Sequence, residues 1–213
     1  LIESIQDRDL FEHVKTPLLA TITCSLVEKG INAPSTENEI YSERLRLLTG
    51  EYDLHKNIER QKQKGELLRK CATKIAFYMH TKGLRSLSKS EMLSALYLDL
   101  FENYSHELLA ECLEELINPC NVIILDPVTS KYSFGHFRFQ EHLASEELKL
   151  NRSIDLSELA TNDWWRGALG LYSQDNDIAY LIEDIYKRYG SVKKAKITLE
   201  LMITNSPQQK KMD

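Results

Sequence analysis

The side chains best suited to chemistry in this sequence are six histidines and four cysteines. A helical zinc pair needs histidines at i and i+4, so that both rings leave one face; His136 and His142 are six apart, and no H-E-x-x-H occurs. Cys24, Cys71, Cys112 and Cys120 form no C-x-x-C pair. Cys71 and Cys112 fall on apolar helical positions beside Leu68 and Leu109, so the cysteines read as reduced core residues rather than metal ligands or disulfides. No G-x-x-x-x-G-K-[ST] loop is present to cradle a phosphate, and no acidic strand suited to Mg²⁺ is evident. The chain by itself is therefore not expected to be an enzyme. One histidine stands out by its setting. In YSFGHFRFQEHLASEEL, residues 132–148, aromatics alternate at Tyr132 and Phe134, a glycine follows, and His136 opens a helical pattern. From the residue alone, His136 caps that helix or packs under the preceding hairpin.

Several elements must position it. Pro17 stands at the start of an apolar helix carrying Leu18, Leu19, Ile22 and Leu26, and Gly30 stops it. After INAPSTEN a second helix repeats Tyr41, Leu45 and Leu48 on one face. Three amphipathic helices follow, with stripes Leu68/Cys71/Ala72/Ile75/Met79, Leu93/Leu96/Tyr97/Leu100 and Leu109/Cys112/Leu113/Leu116. Ser88 and Glu91 have capping-box spacing at the second of these. NVIIL (121–125), the turn residues DPVTSK and the alternating YSF then predict a β-hairpin, and a last helix is predicted from about Phe137 to Leu150. Three helices, a hairpin and a helix is the order of a winged-helix domain. The fold class is mainly α: a small helical domain (1–60), a winged-helix domain with one β-hairpin (61–150), and the start of a further helical region (151–213). In the last, Trp164 and Trp165 read as interhelical packing.

Charge narrows the partners. Twenty-seven Lys and Arg face 32 Asp and Glu, and no basic run follows a nucleic-acid backbone. The third helix of the winged-helix unit, HELLAECLEELI, carries Glu107, Glu111, Glu114 and Glu115 and no cation, so phosphates would repel it and nucleic acid is disfavoured as a partner. No apolar run approaches the roughly 18 residues of a membrane span and no signal peptide opens the chain, which predicts a cytoplasmic protein without membrane contact. The chain begins at Leu1 without an initiator methionine, which predicts a piece of something longer.

With these residues in place, the sequence resembles a family. TPLLATITCSLVEKG followed by APSTENEIYSERLRLLTG is similar to the small helical domain of NACHT-type STAND nucleotide-binding proteins. FGHFRFQEHLAS resembles their winged-helix signature, and NDWWRGALGLYS resembles the Trp-containing segment that follows. The departures are His142 where an aromatic is usual, Ser145 where a second Ala is usual, and Lys15 in place of Gly. The resemblance implies ADP or ATP bound jointly with an upstream nucleotide-binding domain of the same protein. Pro17 would lie near the adenine and His136 would donate to the β-phosphate, with Gly135 letting the backbone approach closely. Arg138, Gln140 and Glu141 could help hold that latch, but they read more simply as a solvated helix face. The family's function would be a regulatory arm that keeps a STAND ATPase closed and autoinhibited until release permits self-oligomerisation, in innate or antiphage defence. The alternatives are a free-standing helical interaction module and a winged-helix transcription regulator.

Overall fold

The computed structural model describes residues 16–50 and 62–207; Lys15, the outer parts of the predicted 1–60 domain and the terminal residues 208–213 lie outside them. The architecture is mainly α, with one small two-stranded antiparallel sheet among the described residues.

The first helix, α1 (Pro17–Glu28), starts where expected. Thr16 accepts a hydrogen bond from the Leu19 amide at 3.3 Å, and proline at the first position has no amide proton to leave unpaired. Gly30 then takes φ +78°, a left-handed turn that glycine adopts without a steric penalty. The second helix, α2 (Glu37–Leu48), opens on a capping box between Thr36 and Glu39. Leu19, Ile22 and Leu26 pack with Ile40, Tyr41 and Leu47, and Leu171 from far along the chain joins them. Cys24 corrects one expectation: it sits on the exposed side of α1, because the stripe Leu19/Ile22/Leu26 takes the opposite face. Cys71, Cys112 and Cys120 are buried.

Three helices then build the largest core: α3 (Gly65–Thr81), α4 (Lys89–Leu100) and α5 (His106–Ile117). The capping box of Ser88 and Glu91 forms as its spacing predicts. The hairpin pairs β1 (Ile124–Asp126) with β2 (Lys131–Ser133), Ile124 lying opposite Ser133, and Leu87 adds an isolated bridge to Tyr132. The first strand begins three residues later than the apolar run NVIIL suggests. Asn121 has φ 52°, and the amides of Val122 and Ile123 turn back to the Leu116 carbonyl at 2.9 and 3.0 Å, so they finish α5 instead of joining a ladder. Asp126 sets the turn by accepting from the Val128 amide and the Thr129 hydroxyl.

From the hairpin the chain enters α6 (Phe137–Leu150), which touches every cluster of the core. Leu143 packs with α3–α5; Ala144 and Leu148 pack with the C-terminal helices; Phe139 borders both the main core and the α1–α2 cluster. Beyond it come α7 (Leu156–Leu159), a 3-10 turn (Asp163–Trp165), α8 (Arg166–Tyr172), α9 (Ala179–Tyr189) and α10 (Lys196–Asn205). Trp165 is buried among them, as the packing interpretation of the tryptophan pair predicts. Among the described residues, no helix is long and apolar enough to cross a membrane.

Candidate functional site around His136

Gly135 and His136 lie where β2 hands over to α6. Gly135 takes φ +74°, a backbone conformation that strains any L side chain, and a Cβ there would also displace the Ile124 Cδ1, 2.9 Å away. His136 is the N-cap of α6: its Nδ1 accepts from the Arg138 amide at 3.1 Å. That bond assigns the ring proton to Nε2, leaving an exposed imidazole with one directional N–H donor uncommitted. The capping role and a donor role are thus carried by different nitrogens of the same ring.

Behind His136 lies a cavity of about 240 Å³ lined by Leu45, Leu48, Val122, Phe134, Phe139 and Leu143, with Arg44, Asn121 and His142 also on its wall. Pro17 does not line it. Pro17 is exposed on the first turn of α1, so the described residues leave both predicted site residues accessible without bringing them together in this cavity.

The residues after His136 are not a solvated face. The Arg138 guanidinium forks onto Glu37 at 2.8 and 2.9 Å, and also reaches Glu141 at 3.0 Å and the Gly167 carbonyl at 3.2 Å. Gln140 is buried and donates to the Leu84 carbonyl at 2.8 Å. Glu141 presses on Gly167 so closely that a Cβ on that glycine would fall 1.9 Å from its Oε1. A planar, five-donor guanidinium can serve three acceptors at once, and here it joins α2, α6 and α8. Sequence reasoning misses this because Glu37 is 101 residues away from its partner.

Two other histidines are buried and chemically opposite. His142 places Nδ1 2.8 Å from the Asn38 Oδ1, whose amide nitrogen in turn meets Asp175 at 2.5 Å. Burial pushes its pKa down to about 3, with the Lys149 charge adding to the effect. His80 is enclosed by Trp165, Trp164 and Phe137, with ring centroids at 4.4, 5.2 and 5.7 Å. Among the described residues neither of its ring nitrogens makes a hydrogen bond of good geometry, and burial lowers its pKa to about 4 against a smaller upward pull from the Trp164 backbone. The Arg85 guanidinium lies 4.3 Å over Phe137 and caps this aromatic group.

The carboxylates of α5 are partly structural. Glu115 is buried and accepts from the Lys62 and Gln63 amides at 3.0–3.1 Å, just ahead of α3, while Glu114 pairs with Lys89. A larger cavity of about 640 Å³ lies between α2, α3 and α6; of its cations, Lys74 pairs with Glu147 at 2.6 Å and Arg69 meets Thr49. Among the described residues no group of three or more His, Cys, Asp or Glu is placed to hold a metal ion. Comparison of the chain with protein-family models, with curated proteins and with solved structures finds no match.

Proposed function

We propose that this chain is the regulatory arm of a NACHT-like STAND ATPase, fastening a closed, ADP-bound state through His136 and Pro17 and releasing it to permit self-oligomerisation. The observation that carries the reading is the division of labour on the His136 ring. Nδ1 is spent on the helix cap, so Nε2–H points its donor capacity outward from an exposed junction. A phosphate oxygen is a strong acceptor for such a donor. Pro17, exposed at the start of α1, is equally available to a neighbouring domain. The nucleotide would be shared with an upstream domain that supplies the phosphate loop, and the setting would be cytoplasmic defence signalling. A transcription-regulator role is disfavoured because α5 presents carboxylates, two of them holding the fold.

The test is ADP release from the protein carrying the upstream domain. His136→Ser keeps an N-cap acceptor and removes the Nε2 donor, whereas His136→Ala removes both. A lost charge-assisted hydrogen bond of about 1.5–3 kcal/mol corresponds to roughly 10- to 150-fold faster release. Both variants should show it, and only His136→Ala should also melt lower. Unchanged release in His136→Ser, or the absence of a phosphate-binding loop upstream, ends this reading.

A further inference from the structure

The cavity behind the hairpin differs from the larger one in its charge. Among the described residues no Asp or Glu lines it, yet Arg44 stands on its wall. Arg44 is half-buried, and among the described residues no hydrogen bond or ion pair engages it. Burial lowers its pKa, and among the described residues no carboxylate offsets that loss of water. The interior arginine of α6 contrasts with it: Arg138 meets two carboxylates and a carbonyl. A guanidinium that gives up water without gaining an anion favours a ligand that brings one.

The rest of the wall says what the anion is attached to. Leu45, Leu48, Val122, Phe134, Phe139 and Leu143 make it mostly apolar, and the exposed residues Asn121, Ile124, Gly135 and His136 form its rim. An apolar cavity of about 150 Å³ holds one benzene ring. At about 240 Å³ this one has room for a ring and a short tail. The polar side offers one fixed positive charge, on Arg44, with the His136 ring at the rim, which matches a single negative charge; a phosphate dianion would leave half its charge unmatched. We infer that this cavity binds a small amphiphilic monoacid, a ring-sized apolar body with a carboxylate head seated on Arg44. The site lies within this chain and needs no nucleotide, so it stands or falls apart from the ADP reading.

The probe is 3-phenylpropionate, titrated into the chain while the backbone amide resonances of Ile124, Gly135 and His136 are followed by NMR. Saturable shifts with a Kd of about 0.1–5 mM are expected from a ligand of this size. Acetate, which lacks the body, and 3-phenylpropan-1-ol, which lacks the charge, should each bind at least about 10-fold more weakly. Arg44→Gln should weaken the acid by roughly 10- to 100-fold and leave the alcohol unchanged. Arg44→Lys, which keeps the charge but not the fork, should fall between and guards against a folding defect in the first variant. The inference is overturned if the acid gives no saturable shifts at about 10 mM, if acid and alcohol bind alike, or if the Arg44 variants bind the acid as the wild type does.

Discussion

Replacing His80 by phenylalanine is expected to stabilise the protein and to reduce its sensitivity to mild acid. The ring sits against Trp165, Trp164 and Phe137 and, among the described residues, neither nitrogen makes a hydrogen bond of good geometry, so an apolar ring of similar shape removes a poorly met polar demand worth about 1–3 kcal/mol. The acid term has a definite sign. With a folded-state pKa near 4 and an ordinary value near 6.5 when unfolded, the unfolded chain takes up a proton between those limits that the folded chain refuses. Stability is therefore fully present above pH 6.5 and falls as pH drops toward 4, by about 2 kcal/mol at pH 5. His142, held down to about 3, contributes a similar loss over the same range. Urea unfolding followed by tryptophan fluorescence at several pH values between 5 and 8 measures both terms, because Trp164 and Trp165 report on the site directly. His80→Phe should raise the midpoint at pH 8 and make the drop at pH 5 smaller by about 2 kcal/mol. His142→Leu should also flatten the curve, yet lower stability at every pH above 6.5, since it strands the Asn38 carbonyl oxygen. Parallel pH profiles for wild type and His80→Phe, or a His80→Phe protein that is less stable at pH 8, would show that the imidazole has a buried partner and that this reasoning is wrong.

Arg138→Lys keeps a charge but loses the fork onto Glu37 and the reach to Gly167. Chemical denaturation should show a loss of about 2–4 kcal/mol, and a double-mutant cycle with Glu37→Gln should give a coupling above about 1 kcal/mol. Glu115→Ala leaves the Lys62 and Gln63 amides without their acceptor, so thermal unfolding should show a loss of about 1–2 kcal/mol while α5 itself stays helical by circular dichroism.

Local patterns carried most of the fold. The start of α1 at Pro17, the Ser88–Glu91 box and the run of α6 from Phe137 to Leu150 were all legible, because caps and stripes are written within a few residues of one another. The hairpin was legible in kind but not in register. Apolar β-branched residues suit a strand, while the bonds of Val122 and Ile123 to the Leu116 carbonyl depend on a left-handed Asn121 that composition does not announce. At the site, His136 could be placed at its junction, and its cap is among the roles a lone histidine there suggests. Arg138, Gln140 and Glu141 looked solvent-facing because polar side chains at a helix start usually are. Their partners, Glu37, the Leu84 carbonyl and Gly167, come from three distant stretches that no local spacing connects. Arg44 was invisible for a related reason: what distinguishes it is its half-buried place on an apolar cavity, and only the fold shows which distant residues build that wall.

That α6 borders all three hydrophobic clusters, and sends Arg138 to helices on either side, makes it a keel rather than a partition. The three regions named from sequence are therefore not interchangeable parts. A fragment ending near Asn151 would keep the winged-helix order of elements but expose Ala144 and Leu148, and one beginning near Lys62 would take Glu37 and Asn38 away from Arg138 and His142. Grafting this winged helix between different neighbours would require carrying along both the start of α2 and the Trp-bearing turn with α8, so the transferable unit is wider than its motif.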